Sequence, residues 1–196
     1  MILKSYEIKK INLIDNQLVL LYGKNEGLKN EAIKILVKNK KSLSSYDEKE
    51  LLDNPNNFFD NISSKSLFEE KKIIIIKRVT DKLLKIIEYI SSRNFEDIII
   101  VLNSDILEKK SKLRSFFEKN KKYICVAFYP DTNQTLSQLA YNFFKKKNIS
   151  ISHANINLIV NKCNGDREIL LNELTKIEYF TKNGEKINAD NIAKLT

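Results

Sequence analysis

Two hydrophobic patterns alternate along this chain. Unbroken apolar runs occur at Leu18–Tyr22, Ile73–Ile76, Ile98–Leu102 and Ile124–Phe128. Runs of this length, rich in β-branched residues, predict strands buried on both faces. Between them apolar residues recur every three or four positions, the period of an amphipathic helix: Leu28, Ala32, Ile35 and Leu36; Phe58, Phe59 and Ile62; Leu83, Ile86, Ile87 and Ile90; Ile106, Leu113, Phe116 and Phe117. Asn54-Pro55 places a capping side chain before a proline at the first helical position, and Thr80 or Asp81 is expected to cap the third helix. A weaker extended stretch lies near Ser42–Tyr46. Strands separated by helices of this length predict an α/β fold, a parallel sheet with flanking helices.

The pattern changes at Tyr129-Pro130-Asp131. From there the period is helical only. Leu136, Leu139, Ala140, Phe143 and Phe144 form one stripe, Ile156, Ile159, Val160 and Cys163 a second, and Leu170, Leu174 and Ile177 a third, opened by Gly165-Asp166. Ile192 and Leu195 suggest a short fourth. The expected division is an α/β domain over 1–130 and a small helical bundle over 131–196.

Composition narrows the function classes. The chain has 196 residues with 42% hydrophobic residues, enough for an ordinary core. No apolar run approaches the ~18 residues of a membrane span, and a secretory leader is not expected. Cys125 and Cys163 stand singly within apolar patterns and read as buried thiols of a reducing cytoplasm. With 2 Cys and 1 His, a metal site is not expected. The net charge of +9 favours polyanions. An abundance of Lys, Ile and Asn beside few Gly and Pro also fits AT-rich coding on a solvated surface. The lysine clusters at Lys38–Lys41, Lys119–Lys122 and Lys145–Lys147 lack interleaved aromatics for base stacking. His153 has no partner for a catalytic pair, and no Ser or Cys nucleophile motif occurs.

The segment after the first strong strand, Gly23-Lys-Asn-Glu-Gly27-Leu28-Lys29-Asn30, nearly matches a phosphate-binding loop. A working loop, G-x-x-x-x-G-K-[ST], wraps backbone N–H groups around phosphate, neutralises it with Lys and holds Mg²⁺ by the hydroxyl. Gly23 and Lys29 are in register. Gly27 is one position early, Leu28 stands in its place, and Asn30 replaces the hydroxyl. The acidic residue expected after a buried strand is also missing: Lys77-Arg78 follow one strand, and Asn103-Ser104-Asp105 the next. Gly23, Gly27, Lys29 and Asn103 therefore read as relics of a nucleotide site. The alternative, an ordinary strand-to-helix turn at Gly23, stays open, and both readings exclude ATP hydrolysis as the expected activity. No catalytic residue and no cofactor are assigned.

Ser66-Leu67-Phe68 lies between the Phe58–Ile62 helix and the Ile73–Ile76 strand, and Glu69-Glu70-Lys71-Lys72 separates it from the latter. Leu67 and Phe68 either anchor a partner, where each buried side chain contributes roughly 1.5–3 kcal/mol, or pack beneath the sheet edge.

The order of these features resembles the delta subunit of the bacterial DNA polymerase III clamp loader. It runs from the strand and defective loop at Leu18–Asn30, through Ser66-Leu67-Phe68 and the strands Lys72–Val79 and Asp97–Asn103, to Pro130-Asp131 and Asn164-Gly165-Asp166 before Glu168–Leu174. The resemblance implies a RecA-like AAA+ domain followed by a helical lid, and a subunit that does not hydrolyse ATP although it works within the polymerase holoenzyme. It implies that Ser66, Leu67 and Phe68 bind the sliding clamp (the beta subunit) and favour its open form, so that primed DNA enters. Motor and delta-prime subunits, DNA and a cytoplasmic setting are the implied partners and place. The family's C-terminal collar domain is not expected within this sequence. Two other classes remain: an unusual P-loop NTPase using Lys29 and Asp105, and a basic nucleic-acid-binding protein.

Overall fold

The computed structural model describes residues 1–38, 42–63, 71–93, 95, 97–184 and 187–195. The chain divides into two compact units, Met1–Tyr129 and Pro130–Thr196.

Among the described residues of the first unit, six strands form one parallel sheet: β1 (Ile2–Lys4), β2 (Leu18–Tyr22), β3 (Leu43–Asp47), β4 (Lys72–Val79), β5 (Ile98–Ser104) and β6 (Ile124–Ala127). Their order across the sheet is β1-β6-β2-β5-β4-β3. The unbroken apolar runs are the central strands. Every residue of β2 and β5 is buried, because helices cover both faces. Alternate residues point to opposite faces. Leu18, Leu20, Ile74, Ile76, Ile100 and Leu102 share one core with Phe58, Leu83, Ile87, Leu113 and Phe117. Val19, Leu21, Ile73, Ile75, Ile99 and Val101 share the other with Ala32 and Leu36.

The connecting helices are α1 (Glu26–Leu36), α2 (Glu48–Asp53), α3 (Pro55–Ser63), α4 (Leu84–Arg93) and α5 (Lys112–Lys119). Pro55 opens α3 as its position predicts. Of the two caps expected before Leu83, Thr80 is the one used, and one further local expectation is corrected. Asp81 does not cap the helix that follows it; its carboxylate accepts from the Ser111 hydroxyl and the Lys112 and Leu113 amides at the start of α5, while Thr80 accepts from Lys82 N–H. Ser111 caps α5, its hydroxyl accepting from Arg114 N–H. Ile106 is exposed and precedes that helix rather than belonging to it.

The second unit is helical: α6 (Asn133–Lys146), α7 (His153–Lys162), α8 (Arg167–Lys182) and α9 (Ala189–Leu195). Leu136, Ala140, Phe144, Ile156, Ile159, Leu170, Leu174, Ile177 and Ile192 form its core. Thr132, Ser152 and Asp166 accept from the first-turn amides of α6, α7 and α8. His153 opens α7 and stacks on Tyr141. Arg167 and Asp131, both largely buried, pair at 3.2 Å.

Candidate functional site

In open parallel sheets, ligands bind at the carboxyl ends of the strands. Here those ends are Tyr22 of β2, Ser104 of β5 and Val79 of β4. β2 and β5 pair in register, with Leu21 opposite Asn103 and Tyr22 opposite Ser104. That register sets Asn103 beside the loop that leaves β2.

The loop is short. Only Gly23, Lys24 and Asn25 separate β2 from α1. Gly23 has φ +129°, and a Cβ there would stand 2.1 Å from the Phe128 carbonyl oxygen. Glycine is therefore required by the close passage of the chain leaving β6. Gly23 N–H donates to the Asp105 carbonyl at 3.0 Å. Asn25 caps α1, its Oδ1 accepting from Leu28 N–H at 3.0 Å, while its Nδ2 donates to the Tyr129 carbonyl. Glu26 N–H donates to the Lys24 carbonyl and Lys29 N–H to the Asn25 carbonyl. The Gly23, Glu26, Leu28 and Lys29 amides, which would face a phosphate, are thus turned to acceptors of the chain itself. Gly27 is buried in the first helical turn, and Leu28 packs into the core on the α1 side of the sheet.

Lys29 occupies the interior. Its side chain is 1% exposed, and Nζ lies 2.7 Å from Glu26 Oε2. The same Nζ donates to the Ser104 carbonyl at 2.6 Å. Asn103 Nδ2 donates to Glu26 Oε1 at 2.9 Å. Glu26 therefore bridges Lys29 and Asn103. Its carboxyl is pushed up by burial, but the hydrogen bonds from Lys29 and Asn103 and the charges of Lys29 and Lys77 outweigh that and hold it below its ordinary value. The α1 N-terminus favours a carboxylate in the same place.

Of the residues singled out in the sequence, the structure brings Lys29 and Asn103 together through Glu26 and sets Gly23 at the mouth of the loop. Glu26 and Ser104 were not assigned. A Glu three residues before a Lys on one helix is the ordinary pattern of a surface pair, and only the burial of Lys29 sets it apart. At the end of β4, the Arg78 guanidinium pairs with Asp47, and Glu48, itself buried, accepts from the Thr80 amide and hydroxyl. Glu48 is thereby committed to holding the chain beyond β4. Ser66, Leu67 and Phe68 lie outside the described residues. Among the described residues, no group of three or more His, Cys, Asp or Glu could hold a metal ion, and no helix is long and apolar enough to cross a membrane. Both cysteines are buried and free, and burial pushes the Cys125 thiol up to about 12.

The parallel sheet with flanking helices, and a β2–loop–α1 unit at its carboxyl end, define an AAA+-like α/β fold. No family model matches the chain. In sequence it is similar to the probable DNA polymerase III subunit delta of Rickettsia prowazekii, with 23% identity over 177 residues, covering 90% of this chain and 54% of that protein. The chain thus spans about half the length of the curated relative it matches. In structure it is similar to the Bacillus subtilis DNA clamp loader delta protein YqeN, with a TM-score of 0.63 at 17% identity, covering 97% of this chain and 60% of that one. The Thermotoga maritima RuvB Holliday junction branch migration motor also shares the fold, with a TM-score of 0.56 at 13% identity over 97% of this chain and 63% of its own. A motor shares this fold, so the fold alone does not decide whether ATP is used. The likeness to a DNA polymerase III delta subunit is one of sequence, and the likeness to the clamp loader delta protein is one of fold.

Proposed function

We propose that this chain is a non-catalytic clamp-loader subunit of the delta type, which binds the sliding clamp and favours its open form. The observation that carries the reading is the delta likeness over nine tenths of the chain. The site supports it: the lysine that would neutralise a nucleotide's phosphates is buried against Glu26 and the Ser104 carbonyl.

In this reading Ser66, Leu67 and Phe68 form the clamp anchor. Two apolar side chains entering a partner pocket supply the differential affinity that shifts the ring towards its open form. Gly23, Gly27, Lys29 and Asn103 are relics of a nucleotide site. ATP is then used by sister motor subunits, with delta-prime as a further partner, in the cytoplasm and near DNA. The excess of 34 Lys and Arg over 25 Asp and Glu suits that neighbourhood.

The test is direct binding to the sliding clamp of the same organism, wild type beside Leu67→Ala/Phe68→Ala. The double variant should bind at least tenfold more weakly, about 1.4 kcal/mol, with an unchanged circular dichroism spectrum. Absence of wild-type binding at micromolar concentration would overturn the reading. If duplex DNA then bound instead, with a steep salt dependence, a basic nucleic-acid-binding protein would replace it.

A further inference from the structure

The arrangement around Lys29 is an oxyanion seat that is already occupied. Its floor is an ammonium group shut off from solvent, since the Lys29 side chain is 1% exposed. Its wall is Asn103, 7% exposed, whose Nδ2 points a donor at the same spot. The first turn of an eleven-residue helix, α1, contributes its positive end. All of this converges on one group, the Glu26 carboxylate, which places one oxygen on each donor: Oε2 on Lys29 and Oε1 on Asn103. The other atom of the Asn103 carboxamide, Oδ1, is buried and finds no partner among the described residues.

We propose that Glu26 is a built-in oxyanion: its carboxylate fills the seat between Lys29 and Asn103 that an inorganic phosphate would fit, and so keeps the site closed. Phosphate matches the donors by chemistry. Two of its oxygens accept from Lys29 Nζ and Asn103 Nδ2, and at neutral pH it carries an O–H that suits the unfilled Asn103 Oδ1. Larger phosphate ligands are disfavoured in the same place, because the Gly23, Glu26, Leu28 and Lys29 amides are already bonded within the chain. The consequence is a chain indifferent to free phosphate through one carboxylate on the helix, rather than through loss of the lysine. This goes beyond the clamp reading and does not depend on it, since no clamp enters the test.

The experiment is chemical rescue. The melting temperature of wild type, Glu26→Ala, Glu26→Gln and Glu26→Ala/Lys29→Ala is measured in sodium phosphate and in sodium chloride of equal ionic strength at pH 7. Glu26→Ala strands a buried ammonium and should melt lower than wild type in chloride. Phosphate at roughly a hundred times its dissociation constant should raise that variant by about 5 °C more than it raises wild type. The double variant should show no such excess, because the cation that holds the anion is gone. Glu26→Gln keeps a side chain of the same shape without the charge, and remains readable if Glu26→Ala does not fold in chloride. It should show a smaller excess in the same direction. Equal phosphate effects in all four proteins, or an excess that survives removal of Lys29, would overturn the proposal and leave Glu26 as a simple ion-pair partner. So would a Glu26→Ala that stays unfolded in phosphate beside a Glu26→Gln with no excess.

Discussion

The carboxyl ends of β2 and β4 lie on either side of β5 and treat positive charge in opposite ways. Beyond β2, Lys29 is sealed in the interior and spends its ammonium on Glu26 and the Ser104 carbonyl. Beyond β4, Arg78 stands 78% exposed, its guanidinium reaching from water to the partly buried Asp47. Ser104 joins the two ends, for its carbonyl takes Lys29 while its hydroxyl donates to the Val79 carbonyl at 2.5 Å. A charge withdrawn from water must be matched by near partners, or folding loses several kcal/mol. A charge left in water keeps its solvation whether or not a partner is near, and a surface pair contributes about 0–1 kcal/mol. The two ends show why counting basic residues says little about a site: burial decides which cation the fold depends on.

The contrast breaks most sharply at Gly23. In Gly23→Ala the new Cβ meets the Phe128 carbonyl oxygen at 2.1 Å, in a backbone conformation of φ +129°. Strain and forced movement of β6 together should cost about 3–5 kcal/mol in urea unfolding. Gly165→Ala is the comparison, since its φ of +83° is equally unsuited to a side chain but nothing lies within 4 Å. It should cost only about 1–2 kcal/mol. Equal losses would show that the close passage at the end of β2 is not what fixes the loop.

Next in size is Glu26→Ala, which should lose about 2–3 kcal/mol at pH 7 by leaving Lys29 buried with only the Ser104 carbonyl. Lys29→Met should lose less than about 1 kcal/mol, because the half-exposed Glu26 is then free to take up water. The advantage of wild type over Glu26→Ala also has a pH signature. The Glu26 carboxyl lies below its ordinary value of 4.5 in the fold, where burial is outweighed by Lys29, Asn103 and Lys77. Its contribution is therefore complete above that ordinary value and disappears as the pH falls through the lower, folded value. Urea melts from pH 7 down to acid should show the gap closing. A gap that stays constant would mean that the carboxylate charge is not what Lys29 needs.

The fold was readable in the sequence because parallel strands buried on both faces leave continuous apolar runs, and β2, β4, β5 and β6 all do. β1 was not, since three residues of which Ile2 and Lys4 are exposed carry no period. Its place at the sheet edge comes from pairing with β6. The six-residue α2 escaped too, although Asp47 and Glu50 form a capping box around its start. At the site, Gly23 and Lys29 were visible through their spacing, and Asn103 through its position at a strand end. Glu26 was invisible because its role depends on the sheet register that sets Asn103 beside Leu21, a non-local fact. Asp81 shows the same limit. A carboxylate just before a helical pattern reads as that helix's cap, yet it serves α5 some thirty residues further on.

The smallest expected effect sharpens the comparison from the β4 side. Arg78 adopts φ +56°, where the sheet register between β4 and β5 shifts. A side chain in that conformation costs about 1 kcal/mol relative to glycine, and the pair with Asp47, whose cation is open to water, returns at most a similar amount. Arg78→Gly removes both, so its stability in urea should stay within about 0.5 kcal/mol of wild type. Salt separates the two ends further. At 1 M NaCl any residual difference for Arg78→Gly should vanish, because the pair is open to screening ions, while most of the Glu26→Ala loss should persist around a lysine that ions do not reach. A loss above about 1 kcal/mol for Arg78→Gly, persisting in high salt, would mean that the cation beyond β4 is as much a part of the fold as the one beyond β2.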